Sequence, residues 1–145
     1  MTGERSAHAR LQAHRRIAAA IAAQSVRLGV NVGIANRPGS PVFIRRESAV
    51  PLFLSFFGVI GATFLGGPIL GLTALGLAGL AWVLLIYPRL RDRVYERSVA
   101  FVSGGVTEFE AMWSAGAISL QRADGSGEVR APDGDWVAFG EALPD

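Results

Sequence analysis

Residues 48–88, a run of 41, contain no Asp, Glu, Arg, Lys or His. A single helix of that length would be about 60 Å long at 1.5 Å per residue, whereas the hydrocarbon core of a bilayer is about 30 Å thick. Tilting cannot absorb a twofold excess in length. The run therefore predicts two membrane-spanning helices joined by a turn. A re-entrant or soluble buried hairpin is the alternative, but a chain of 145 residues offers little structure to cover two such helices.

The strongest helix breaker in this run lies near its midpoint, at Gly66, Gly67 and Pro68. Glycine accepts the left-handed geometry of a helix end, and proline suits the first turn of the next helix. We predict transmembrane helices over residues 49–65 and 68–87, with the turn at residues 66–67. The predicted fold class is an α-helical integral membrane protein: a two-helix transmembrane hairpin with a small mixed α+β cytoplasmic portion built from both flanks.

Small residues recur four positions apart along both predicted helices. The predicted packing residues are Gly58, Ala62, Gly67, Gly71, Ala74 and Ala78. This spacing lets helix backbones approach closely in lipid. Two uses are open: closure of the hairpin itself, and contact with a helix of a second protein.

Arginines stand at both ends of the uncharged run, whereas the predicted turn carries no charge. The predicted membrane-interface residues are Arg45, Arg46, Trp82, Tyr87, Arg89, Arg91 and Arg93. Cytoplasmic loops are enriched in Lys and Arg. We therefore expect a multi-pass protein of the bacterial inner membrane with both termini in the cytoplasm, and arginines that contact anionic lipid headgroups.

The two flanks carry opposite charge. Residues 1–47 hold eight arginines against Glu4 and Glu47, a net charge of +6, whereas residues 98–145 have a net charge of −6. We call residues 1–47 the basic head and residues 98–145 the acidic tail. We hypothesise that the head and the tail contact each other or oppositely charged partners. The head could bind to lipid, to the tail or to a partner protein, and all three alternatives are open. Nucleic acid is disfavoured, because the head has no recognition module and no interleaved aromatic residues.

The flanks divide into three further segments. Residues 1–25 are predicted to be a basic N-terminal helix or arm. Residues 26–47 alternate apolar and polar side chains around a Pro/Gly turn, which predicts a short β-hairpin that pairs with strands elsewhere in this chain or a partner. Residues 89–145 are predicted to be an acidic cytoplasmic α+β tail.

Within that tail, a helix over residues 89–102 is predicted to start after Pro88 and to stop at Gly104. Thr107 and Glu110 fit a capping box for a short helix over residues 108–115 that ends at Gly116. Strands over residues 118–122 and 128–130 form a predicted hairpin, and another turn follows at residues 133–134.

Few residues of this chain have the types and spacing that catalysis or metal binding needs. There is no Cys, and the spacing of Asp124 and Glu128 does not match an EF-hand. His8 and His14 lie outside any acidic cluster, and we expect both to be solvated. We expect no catalytic residue, no metal site, no cofactor and no small-molecule substrate.

These features predict a non-catalytic small inner-membrane subunit that scaffolds or docks components of a larger membrane complex, such as a secretion, conjugation or respiratory complex. Its expected partners are other membrane-protein subunits in a hetero-oligomer. Two alternatives remain open: a holin-like self-assembling membrane pore protein, and a membrane anchor for one soluble partner.

Overall fold

The structure is a computed structural model that describes residues 2–144, and these fall into two compact units. The helical unit is Phe43–Val94, and the α+β unit combines Met1–Val42 with Tyr95–Asp145. In chain order the elements are α1 (Thr2–Ala22), β1 (Val26–Val30), α2 (Val32–Ala35), α3 (Arg45–Ala81), a π-helical segment (Trp82–Ile86), α4 (Tyr87–Gly104), α5 (Val106–Ser114), β2 (Ile118–Arg122), β3 (Glu128–Arg130) and α6 (Trp136–Glu141).

Helix α3 is interrupted at one residue. Gly67 has φ 75° and ψ −173°, values outside the helical region, and Pro68 follows it. A side chain would be strained at this positive φ, which glycine adopts freely. The predicted helix break is therefore confirmed at Gly67. The first helix starts four residues earlier than predicted, at Arg45. Its first turn contains Glu47, and a carboxylate interacts favourably with the positive end of the helix dipole.

The predicted helix boundary at Pro88 is wrong. The chain continues through Pro88 into α4, directly after the π-helical segment. A proline inside an α-helix lacks an N–H donor and its ring collides with the carbonyl four residues earlier. The π-helical turn widens the backbone at this point, and the N–H of Tyr87 bonds to the carbonyl of Trp82, five residues back.

The predicted β-hairpin over residues 26–47 is also wrong. Only β1 is a strand. Residues after it form α2, whose first turn is capped by the Asn31 side chain, which accepts a hydrogen bond from the N–H of Ile34. β1 instead pairs antiparallel with β2, with Leu28 opposite Leu120, and β2 pairs with β3. The expectation that this strand pairs elsewhere in the chain is confirmed.

The C-terminal tail follows the predicted strands and departs from the predicted helix start. β2 and β3 have the predicted bounds. Helix α5 starts at Val106 with Gly105 at its N-cap and no side-chain cap bond, so Thr107 lies inside the helix and the predicted capping box is wrong. The helix ends as predicted at Gly116, whose φ of 70° allows the N–H groups of Gly116 and Ala117 to bond back to Trp113 and Met112.

Phe109 lies at the centre of the α+β unit. It is fully buried, with its ring centroid 4.8 Å from that of Trp136 and 5.8 Å from that of Trp113. The other buried side chains come from every larger element of the unit and include Ala13, Ile17, Val26, Leu28, Val102, Met112, Ile118, Leu120 and Phe139. The two flanks of the apolar run therefore share one core.

Helix α1, in the basic head, packs against the acidic tail mainly through apolar contact. Gly140 of α6 lies so close that a Cβ built on it would be 2.8 Å from the Cβ of Ala13. One ion pair, Arg10 to Glu110 at 3.3 Å, accompanies this packing. The contact expected between head and tail is present, and it depends on shape as well as on charge.

His14 departs from the solvated position expected of both histidines. Its side chain is buried, its Nε2 lies 2.8 Å from the carbonyl oxygen of Val102, and its ring meets Phe109 edge-on. Val102 lies in the last turn of α4, where carbonyls have no intrahelical partner. His14 therefore provides a hydrogen-bond partner for one carbonyl of that helix end.

We predict that Gly140→Ala destabilises the α+β unit. The added methyl group has no room against Ala13 and would separate α1 from α6, at a cost of about 1–3 kcal/mol for overpacking. The measurement is chemical denaturation followed by tryptophan fluorescence. Gly104→Ala is the control, because a Cβ there meets no atom within 4 Å; equal stability of both variants would contradict the packing described.

Candidate functional site

The apolar run exposes most of its large side chains. Within Arg45–Gly104, the most apolar window of 18 residues has a mean hydropathy of 2.4, and only 6% of it is buried. By length and composition, this is the one helical stretch among the described residues that could cross a membrane. Phe64, Leu65 and Ile69 are 86%, 90% and 79% exposed. An apolar surface of this extent indicates contact with lipid or with another protein.

Contacts connect the two sides of Gly67. The indole N–H of Trp82 donates a hydrogen bond to the hydroxyl of Ser55 at 3.1 Å. In one straight helix these residues would be about 40 Å apart. Arg93 forms an ion pair with Glu47 at 3.9 Å, and Gly71 lies against the side chain of Thr63. The backbone therefore changes direction between the contacting residues.

The predicted packing residues divide into two groups. Gly71 is buried, and Ala62, Ala74 and Ala78 are partly buried. In contrast, a Cβ built on Gly58 or on Gly67 would meet no atom within 4 Å. Gly67 therefore contributes its non-helical backbone angles and no packing contact. Gly58 lies outside the contact between the helical stretches on either side of Gly67.

The three predicted turn residues occupy consecutive but different environments. A Cβ on Gly66 would collide with the side chain of Leu70. Gly67 carries the non-helical backbone angles, and Pro68 is exposed at the start of the second helical stretch. The sequence therefore identified both the position of the break and the residue types that make it possible.

The predicted interface residues lie in the first turn of α3, in the π-helical segment and in α4. Trp82 is partly buried through its bond to Ser55, whereas Tyr87 is 56% exposed. The arginines are exposed: Arg45, Arg46, Arg89, Arg91 and Arg93. Within the helical unit, all charged side chains thus lie on residues 45–47 and 89–93, and none lies between them.

Sequence reasoning missed Glu47 and Pro51 as neighbours of the arginines. Both line a depression with Arg46 and Arg93, and both line a second one with Arg89 and Arg93. Local periodicity cannot reveal that Glu47 pairs with Arg93, which lies 46 positions further along the chain. The signal available was its place as the one acidic residue in the first turn of α3.

The polar side chains of the β2–β3 hairpin form local interactions. Hydrogen bonds from the side chain and backbone of Ser126 lower the pKa of Asp124. The guanidinium of Arg130 bonds to Glu128 at 2.7 Å, which lowers the pKa of that carboxyl group and raises the pKa of Arg130. In the described part of the chain, no group of three or more His, Asp or Glu side chains is placed to hold a metal ion.

We predict that the bond between Ser55 and Trp82 stabilises the helical unit. A double-mutant cycle of Ser55→Ala and Trp82→Phe in mild detergent should give a coupling energy of about 0.6–1.7 kcal/mol, the range of interhelical hydrogen bonds in membrane proteins. Thr73→Ala with Trp82→Phe is the control cycle, because the Thr73 hydroxyl bonds within its own helix to Ile69. Additive effects in both cycles would show that the Ser55–Trp82 bond is not formed.

No known protein family, curated protein or solved structure matches this chain. Any role for its residues therefore follows from their own chemistry and placement.

Proposed function

We propose that residues 48–88 form a two-span transmembrane hairpin in the bacterial inner membrane. The α+β unit then stands in the cytoplasm and docks components of a larger membrane complex, without catalysis. The observation that carries the proposal is the pairing of β1 with β2, strands that lie on opposite sides of the apolar run in the sequence.

That pairing constrains how the chain can cross a bilayer. Two strands of one sheet lie on the same side of a membrane, because an open sheet does not span the hydrocarbon region. The chain between β1 and β2 must then cross an even number of times. Forty-one residues provide enough length for two crossings and not for four. The contacts of Ser55 with Trp82 and of Glu47 with Arg93 support the same arrangement.

The exposed apolar surface supports a lipid environment for the run. Its backbone is helical on both sides of Gly67, so its polar groups are bonded internally, as a lipid-exposed segment requires. The arginines on residues 45–46 and 89–93 support a cytoplasmic position for these ends of the hairpin, by the positive-inside rule.

A docking role fits the division of the chain better than transport or catalysis does. The proposed spans carry no Asp, Glu, His, Lys or Arg, whereas proton and ion pathways within membranes normally use one of these residues. The α+β unit has its own aromatic core around Phe109 and therefore presents a defined surface to a partner. A self-assembling pore needs no such unit.

Affinity purification of the full chain from its native membrane in mild detergent tests this function. We expect the protein to resist alkaline carbonate extraction and to bring down a fixed set of larger membrane proteins in constant ratio. Recovery of the protein with only itself, together with membrane permeabilisation, would favour a pore and contradict the proposal. Recovery of one soluble protein would favour a simple anchor and also contradict it.

Phe109→Ala provides a control that separates the two units. Loss of this buried ring should cost the α+β unit about 3–5 kcal/mol, while the apolar run stays in the membrane. We expect the variant to remain resistant to carbonate and to lose the membrane-protein partners. A variant that keeps every partner would show that docking does not use the α+β unit.

A further inference from the structure

Two adjacent depressions lie at the charged end of the helical unit. One, of about 380 Å³, is lined by residues that include Arg46, Val50 and Arg93. The other, of about 160 Å³, includes Ile86, Arg89 and Arg93. Glu47, Pro51 and Arg93 line both, so the two depressions meet at the ion pair between Glu47 and Arg93.

The positive charge of these depressions is only partly neutralised within the unit. Arg93 shares the carboxylate of Glu47 and its side chain is still 65% exposed. Arg46 and Arg89 have no hydrogen-bond or ion-pair partner among residues 2–144. Guanidinium groups bind phosphate and carboxylate oxygens through paired hydrogen bonds, so a phosphate group is an anion that suits this cluster.

Three of the six residues that line the larger depression are apolar. Ile44 and Val50 are 41% and 45% exposed, and the ring of Pro51 lies beside them. The position therefore combines guanidinium donors with uncovered hydrocarbon surface. A ligand that satisfies both is an amphiphile with an anionic phosphate and an alkyl chain.

We propose that this cluster, Arg46, Arg89 and Arg93 with Val50 and Pro51, is a binding site for one anionic glycerophospholipid. Its phosphodiester contacts the guanidinium groups, and an acyl chain lies against Val50 and Pro51. This inference rests on the proposed insertion of residues 48–88 into the membrane. It goes further by assigning a specific bound lipid to named residues, beyond a general attraction of arginines to the membrane surface.

The charge of the ligand decides between lipid classes. A zwitterionic lipid carries a positively charged group next to its phosphate. In this cluster that positive group would lie among arginines, which would repel it. An anionic lipid such as phosphatidylglycerol has no such cation. Basic pockets between transmembrane helices on the cytoplasmic side are known to hold anionic headgroups, and this cluster has the same composition.

Native mass spectrometry of the full chain in a neutral detergent, titrated with phosphatidylglycerol or phosphatidylcholine, tests the site. We expect a one-to-one complex with phosphatidylglycerol, and binding of phosphatidylcholine at least about tenfold weaker. Arg46→Gln with Arg89→Gln should weaken phosphatidylglycerol binding by more than about tenfold.

The matched control removes the same charge from the same end of the unit. Arg45→Gln with Arg91→Gln deletes two exposed arginines that line neither depression. We expect this pair to change phosphatidylglycerol binding by less than about threefold. Equal losses in both double variants would overturn the site and leave only a general electrostatic attraction. Equal binding of both lipids would overturn it as well.

The same preparations separate this inference from the proposed function. Membranes are first extracted with alkaline carbonate. A wild-type protein that resists extraction but shows no preference for phosphatidylglycerol overturns the lipid site alone. A wild-type protein released by carbonate overturns the membrane hairpin, and the lipid site with it.

Discussion

The antiparallel pairing of β1 with β2 is the interaction on which the rest of the molecule depends. It joins residues 26–30 to residues 118–122, and so closes the chain around the whole apolar run. Both flanks then contribute buried side chains to one unit, Ile17 and Leu28 from residues 1–47 and Leu120 from the tail. The ring of His14 meets that of Phe109 edge-on across the two flanks. Separate flanks could lie on different sides of a membrane, whereas paired flanks cannot.

The uncharged run, residues 48–88, requires an apolar environment outside the α+β unit. Its large side chains are exposed, and complete burial of each Leu, Ile or Phe is worth about 1.5–3 kcal/mol relative to water. No side chain of the helical unit covers Phe64, Leu65 or Ile69. In the proposed hairpin a bilayer covers these side chains, and the break at Gly67 lets the run enter and return so that the strands can still pair. The proposed hairpin thus reconciles an exposed apolar surface with a sheet built from both flanks.

Local signals in the sequence predicted local features well. Gly67 and Gly116 were identified as helix breaks because glycine adopts positive φ at little cost, and both positions are confirmed. The bounds of β2 and β3 followed from alternation around Asp124 and Gly125. The predicted capping box at Thr107 was wrong because α5 starts earlier, with Gly105 at its N-cap. The helix boundary predicted at Pro88 was wrong because the π-helical turn before it accommodates the proline.

Interactions between distant residues could not be read in the same way. Periodicity identified β1 as a strand, but it does not reveal the partner strand, whose residues lie 88 to 96 positions further along the chain. That pairing depends on the packing of the whole unit. His14 looked solvated among arginines, since nothing nearby in sequence reveals the carbonyl of Val102. The depressions beside Arg93 also required coordinates, because Glu47 and Arg93 meet only after the chain changes direction at Gly67.

Cysteine accessibility in intact spheroplasts tests the central claim, the two-span hairpin with its turn outside. The chain has no Cys, so one introduced residue gives the whole signal. Pro68→Cys probes the turn without the strain that a side chain at Gly67 would cause, and Ser103→Cys probes the exposed side of α4. We predict that a membrane-impermeant thiol reagent modifies Cys at position 68 in intact spheroplasts and Cys at position 103 only after lysis. Modification of position 103 before lysis, or protection of position 68 until lysis, would contradict it.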